Sequence, residues 1–130
     1  MKVALIKYNA GNVQSVFYAL ERLGVSYVLT DSEEEIRSAD KVILPGVGEA
    51  GSTMASLRQT GLDRVIPTLK QPFLGTCVGL QLMCRHSEEG NTGCMGIFDI
   101  AVKRFPARPG FKVPHVGWNT ISGYGTPLTH

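Results

Sequence analysis

Four short apolar segments recur in the first 76 residues, and stretches with a helical pattern separate them. They cover residues 2–8, 25–30, 41–46 and 72–76. After the first segment, apolar residues recur at helical spacing up to Gly24, a residue type that favours the end of a helix. Apolar strands that alternate with helices form parallel sheets whose two faces are covered by helices. The alternation therefore predicts a three-layer α/β domain with a mostly parallel sheet.

Further helices are predicted over residues 31–40, about 52–69 and 77–86. Beyond Gly90 the pattern changes, because Pro and Gly interrupt two extended segments at 96–105 and 112–121. These two segments are candidates for an antiparallel arrangement.

Length and composition favour one soluble globular domain over residues 1–130, with 43% hydrophobic and 18% charged residues. No apolar stretch approaches the ~20 residues that span a bilayer, and the first residues do not resemble a signal peptide, so we expect a cytoplasmic protein. A net charge of +2 with scattered basic residues gives no indication of nucleic-acid binding. The spacing of the three cysteines matches neither a disulfide framework nor a metal site, so we expect reduced thiols and no metal or cofactor.

The segment Gly75-Thr76-Cys77-Val78-Gly79 has the form of a nucleophile elbow between a predicted strand and a predicted helix. Glycines two positions before and after the cysteine leave room for its thiol on a sharp turn. The backbone N–H of Val78 is the expected first donor of an oxyanion hole, and the Pro-Gly-Val-Gly loop at 45–48 is the expected source of the second.

The residue pattern alone leaves two interpretations of Cys77 open. It is either a nucleophile or a small buried residue on a tight turn, because cysteine is among the most buried residue types. Gln81, one helical turn later, either contacts a polar ligand or faces solvent. Cys84 has no glycine turn beside it and is expected to be a structural residue on the same helix.

Four segments together resemble a known family: YNAGNVQSV (8–16), LPGVGEAGSTM (44–54), PFLGTCVGLQLM (72–83) and KVPHVGWN (112–119). The chain resembles the triad-type (class I) glutamine amidotransferases, and among them the glutaminase subunits of imidazole glycerol phosphate synthases. The elbow is shared widely in that superfamily, whereas the Pro-His-x-Gly-Trp-Asn combination is narrower. The resemblance implies a flavodoxin-like class I glutamine amidotransferase domain.

It also implies an activity: L-glutamine is hydrolysed at Cys77 through a glutamyl thioester. The ammonia then passes to a (β/α)8-barrel cyclase subunit in histidine biosynthesis. The roles carried over by position are an oxyanion hole from Val47, Gly48 and Val78, glutamine contacts from Gly46, Gly48 and Gln81, and cyclase contacts from Asn12, His115, Trp118 and Asn119.

A cysteine amidase needs a base and a carboxylate that orients it, and the family has both in a His-x-Glu segment that these 130 residues lack. His115 and the terminal His130 are weak candidates, and His86 would lie roughly 13 Å from Cys77 along a helix. We therefore expect residues 1–130 to be the N-terminal part of the domain, with very low turnover of their own. Two alternatives are a module that binds the cyclase without catalysis and a flavodoxin-like thiol sensor or chaperone.

Overall fold

A computed structural model describes residues 1–9, 13–120, 122–123 and 125 of the chain. Its strands are β1 (Lys2–Ile6), β2 (Ser26–Thr30), β3 (Lys41–Leu44), β4 (Phe73–Gly75), β5 (Cys84–Ser87), β6 (Thr92–Gly93) and β7 (Phe98–Val102). Its α-helices are α1 (Gln14–Arg22), α2 (Glu33–Ser38), α3 (Ala50–Thr60), α4 (Leu62–Val65) and α5 (Val78–Met83). Short 3-10 turns cover Ile66–Thr68 and Glu89–Asn91.

The first four strands form one parallel sheet in the order β2-β1-β3-β4. The alternating side chains of β1 explain why helices cover both faces. Val3 and Leu5 pack against α1, with Leu20 at the centre of that contact. Ala4 and Ile6 point to the opposite face and join the larger core with α2, α3, α4 and α5. The prediction of a three-layer α/β domain is confirmed.

The predicted helix over 52–69 is present but divided. It begins at Ala50 as α3, ends at Gly61, which has φ 74°, and continues as α4 and a 3-10 turn. Glycine adopts this left-handed conformation without steric cost, so the chain changes direction at that residue.

The predicted helix over 77–86 is wrong beyond Met83, because Cys84 is extended and begins β5. Strand β5 pairs in an antiparallel manner with β6 and in parallel with β7, which makes a second sheet of three strands. Backbone pairing with β6 and β7 thus replaces helical hydrogen bonds at 84–87.

The two extended segments predicted after Gly90 have different outcomes. Strand β7 lies inside 96–105 and confirms that the first is extended, but the antiparallel arrangement expected for it is wrong, since β7 pairs in parallel with β5. The second is wrong for its described part, since residues 112–120 form no strand. An isolated bridge between Arg108 and Phe111 precedes it, and Pro114 and Gly117 interrupt any regular pairing.

Among the described residues, no helix is long and apolar enough to cross a membrane.

Candidate functional site

Three parallel strands, β1, β3 and β4, end at the same edge of the sheet. The loop 45–48 follows β3, and the elbow at residues 76–77 follows β4. Ligand sites in open parallel sheets lie outside the carboxyl ends of the strands, which makes this edge the candidate site.

Cys77 has φ 52° and ψ −116°, a backbone conformation that L-residues rarely adopt. Such a conformation costs about 1–3 kcal/mol and persists only where the surrounding structure enforces it. Here the Gly79 N–H donates to the Thr76 carbonyl at 2.8 Å, and the Gln81 N–H donates to the Cys77 carbonyl at 3.1 Å. The turn leaves the side chain of Cys77 exposed at the start of α5.

The two elbow glycines allow backbone segments to approach one another. A Cβ atom on Gly79 would lie 2.2 Å from the carbonyl oxygen of Leu44, and one on Gly75 would lie 2.7 Å from Sδ of Met83. Glycine at these positions leaves free space around the thiol, as expected from the sequence. The structure shows that they also let α5 pack directly on β3 and β4.

The loop 45–48 lies against the elbow backbone. A Cβ atom on Gly46 would lie 1.9 Å from the carbonyl oxygen of Thr76 and 2.6 Å from the backbone nitrogen of Val78. Val47 is about half exposed, and Gly48 has φ 127°, a conformation that favours glycine. The structure therefore brings the loop, Val78 and Cys77 to one place.

Helix α3 begins directly after this loop. The carboxylate of Glu49 accepts hydrogen bonds from the backbone N–H groups of Gly51 and Ser52. These bonds, above all the one from Ser52, lower the pKa of Glu49. The cap fixes the point at which the loop joins α3.

Gln81 lies on α5 beside an open groove that no local sequence pattern predicts. The Ser87 hydroxyl donates to Oε1 of Gln81 at 3.5 Å. The groove combines carboxylates and cations, and its lining residues are Gln81, Ser87, Glu88, Glu89, Val102, Lys103 and Arg104. In the sequence, the adjacent carboxylates of Glu88 and Glu89 shortly after the elbow could have indicated a charged site. Lys103 and Arg104 reach the groove only because they follow β7 in the fold. A groove with both signs of charge complements an α-amino acid.

None of the candidate bases within the described residues is hydrogen-bonded to Cys77. His86 lies on β5, and its Nε2 is 3.0 Å from Oδ1 of Asn91. The distance expected for His86 along a helix is therefore invalid, because that residue is not helical. His115 is exposed. Within the described ranges no hydrogen bond joins a histidine to Cys77, and His130 and Asn12 lie outside those ranges.

Residues 103–119, which we call the apolar arm, expose several large side chains. Trp118 is fully exposed at 104%, and Asn119 beside it is also exposed. His115 lines an apolar cavity of the arm together with Phe105, Phe111, Val113, Pro114 and Val116. An exposed apolar surface of this kind is typical of an interaction site.

Cys84 is buried, as expected, and Cys94 is partly buried. Burial is also the main reason that the pKa of the Cys94 thiol is raised. Cys77 is the exposed thiol among the three.

Solved structures support the fold. The crystal structure of a glutamine amidotransferase superposes with a TM-score of 0.65 at 21% identity, covering 78% of this chain and 56% of that one. A putative peptidase E from Listeria monocytogenes superposes with a TM-score of 0.62 at 16% identity, covering 75% and 63%. At these identities the likeness concerns the fold alone.

Curated relatives are much closer in sequence. A protein of Bacteroides thetaiotaomicron named imidazole glycerol phosphate synthase subunit HisH is 63% identical over 129 residues, which cover 98% of this chain and 66% of the relative. A protein of Idiomarina loihiensis with the same name is 44% identical over 121 residues, which cover 93% and 61%. The chain thus spans less than two thirds of the length of these relatives.

The model of the SNO glutamine amidotransferase family matches residues 9–107, which contain the loop 45–48, the elbow and the charged groove. Sequence, fold and site geometry agree on the same class of protein, and the chain belongs to the SNO glutamine amidotransferase family.

Proposed function

We propose that the chain is the glutaminase component of an imidazole glycerol phosphate synthase and that it acts in the cytoplasm. It hydrolyses L-glutamine to glutamate and ammonia, and the ammonia serves a (β/α)8-barrel cyclase in histidine biosynthesis. The observation that carries the proposal is the exposed Cys77 at positive φ, with the loop 45–48 packed against its turn. The family match alone does not specify one amidotransferase, and the named relatives at 63% identity favour this one.

The proposed chemistry starts with attack of the Cys77 thiolate on the γ-carboxamide carbon of glutamine. The carbonyl oxygen gains negative charge, and the backbone N–H groups of Val78 and of Val47–Gly48 stabilise it. The C–N bond then breaks, ammonia leaves with an added proton, and water hydrolyses the thioester.

The charged groove has the chemistry to hold the amino-acid end of glutamine. The carboxylates of Glu88 and Glu89 attract its ammonium group, and the cations of Lys103 and Arg104 attract its carboxylate. Gly46 and Gly48 of the loop and Gln81 beside the groove complete the proposed contact set. Substrate binding therefore extends from the loop after β3 to the start of the apolar arm.

Proton transfer is the weakest step for these 130 residues. A base must take the thiol proton and later protonate the ammonia. Because His86 is held by Asn91 and His115 is exposed, we expect very low turnover by the isolated chain.

Ammonia release from L-glutamine by the chain mixed with a barrel cyclase tests the glutaminase proposal. The expected result is a slow release that saturates with glutamine and requires Cys77. The reference is the Cys77→Ala variant under the same conditions. Release by the unmodified chain no faster than by this variant would reject the proposal.

A second candidate function is a module that docks on the cyclase without hydrolysing glutamine. The exposed apolar arm favours it, because a fully exposed tryptophan is a costly side chain to leave in water. Both functions share the same docking surface. They differ in whether Cys77 reacts with glutamine.

A Trp118→Ala variant is expected to weaken binding to the barrel cyclase. Buried aromatic anchors contribute about 2 kcal/mol or more at interfaces, which is roughly a 30-fold change in Kd. Titration calorimetry with the cyclase measures it. The matched control is Ile100→Ala, which removes an exposed apolar side chain from β7 outside the arm. Equal affinities for both variants would show that the arm does not dock.

A further inference from the structure

Tyr8 follows β1, and its ring packs against the larger core. Its hydroxyl donates a hydrogen bond to the Pro45 carbonyl at 2.5 Å. The same oxygen accepts a hydrogen bond from the Val47 N–H at 3.5 Å. One hydroxyl therefore connects the two residues on either side of Gly46.

The two bonds differ in strength. The contact with Pro45 is short, so it anchors the loop, whereas the contact with Val47 is at the long limit for a hydrogen bond. The Val47 N–H consequently forms only a weak hydrogen bond with the Tyr8 hydroxyl. Because this bond is weak, the amide can exchange it for a bond to a charge that develops nearby.

The anchored loop is the one that lies against the elbow. Gly46 is in direct backbone contact with Thr76 and Val78, so a shift of Pro45 or Val47 moves the loop relative to Cys77. Tyr8 follows a different strand and is separated by 37 residues from Pro45. It thus ties the end of β1 to the loop after β3.

We propose that Tyr8 is a positioning residue for the reaction of glutamine at Cys77. Its hydroxyl holds Pro45, and through Pro45 the loop 45–48, in the register in which the loop N–H groups can reach the developing oxyanion. This inference rests on the proposed glutaminase function.

The ionisation of Tyr8 is consistent with this role. Burial, the largest cause, raises the pKa of Tyr8, and a charge on Cys77 raises it further. The hydroxyl therefore keeps its proton at neutral pH and donates it to Pro45.

The test compares two reagents on the Tyr8→Phe variant. A chloroketone analogue of glutamine carries a carbonyl that needs the oxyanion hole, whereas iodoacetamide needs only an exposed thiol. Misplacement of a reacting group by about 1 Å costs up to about 100-fold in rate, so we expect the chloroketone to label Cys77 at least about tenfold more slowly. Labelling by iodoacetamide and the thermal midpoint are expected to change little, because the phenyl ring still packs in the core.

The matched control is Tyr27→Phe. Its hydroxyl donates to the Glu21 carboxylate at 3.0 Å on the α1 side of the sheet, away from the loop. The inference is overturned if the ratio of the chloroketone labelling rate to the iodoacetamide labelling rate is the same in both variants. It is also overturned if Tyr8→Phe slows labelling by both reagents equally, which would indicate a purely structural role. If L-glutamine fails to protect Cys77 in the unmodified chain, the proposed function is overturned first, and this inference with it.

Discussion

A Gly79→Ala variant is expected to lose at least about 3 kcal/mol of the free energy of unfolding, because the new methyl group collides with backbone that cannot move aside. The Cβ atom would lie 2.2 Å from the carbonyl oxygen of Leu44 and 3.1 Å from its carbonyl carbon. This clash is relieved only if α5 moves away from β3, and that movement opens the core around Leu82. Helix propensity alone would stabilise the alanine variant by about 1 kcal/mol. The sign of the change in the free energy of unfolding therefore shows whether packing or helix propensity dominates.

Urea unfolding followed by circular dichroism measures this loss. Gly93→Ala is the matched control, since a Cβ atom there would meet no atom within 4 Å. The control is expected to stay within about 0.5 kcal/mol of the original chain. If Gly79→Ala were as stable as this control, the close packing of α5 on β3 would be wrong.

The Gly46→Ala variant is expected to impair the site more than the fold. Its Cβ atom would lie 1.9 Å from the Thr76 carbonyl oxygen, so the loop 45–48 must withdraw from the elbow. The loop is partly exposed and can move outward, which limits the loss of stability to about 1–3 kcal/mol. In the proposed site this withdrawal takes an oxyanion donor away from Cys77, and the loss of one such donor costs about 100-fold or more in rate.

The readout is the rate at which the glutamine chloroketone labels Cys77, with iodoacetamide as the reference reagent. Only the first rate is expected to fall by about 100-fold. Gly93→Ala again serves as the control for an added methyl group. Unchanged chloroketone labelling in Gly46→Ala would show that the loop does not contribute to the site.

The parallel sheet could be predicted because its strands are apolar on both faces. In β1, Val3 and Leu5 face one core while Ala4 and Ile6 face the other, so the sequence shows a continuous apolar run. The elbow could be predicted because a sharp turn at a cysteine requires glycines at fixed positions before and after it. Both signals lie within a few neighbouring residues.

The end of α5 could not be predicted from periodicity. Leu82, Met83 and Cys84 are all buried, and an apolar run of this length is compatible with a helix or a strand. The outcome depends on pairing with β6 and β7, whose partners lie up to 15 residues away, as Ser87 and Val102 do.

Two parts of the candidate site were missed for a similar reason. The contact of Tyr8 with Pro45 and the meeting of Glu88 with Arg104 join residues on different elements. In the sequence Tyr8 is the last residue of an apolar run, and Arg104 is one of the scattered basic residues. Only the fold brings them beside the elbow and its groove.

The central claim is that Cys77 lies in a pocket built for glutamine. The most direct test is the labelling of the unmodified chain by the glutamine chloroketone, with the modified peptide identified by mass spectrometry. The account predicts rapid labelling of Cys77 that L-glutamine prevents and D-glutamine does not, while the buried Cys84 stays unmodified and the partly buried Cys94 reacts more slowly. Labelling of Cys77 no faster than that of an ordinary thiol, and insensitive to L-glutamine, would contradict it.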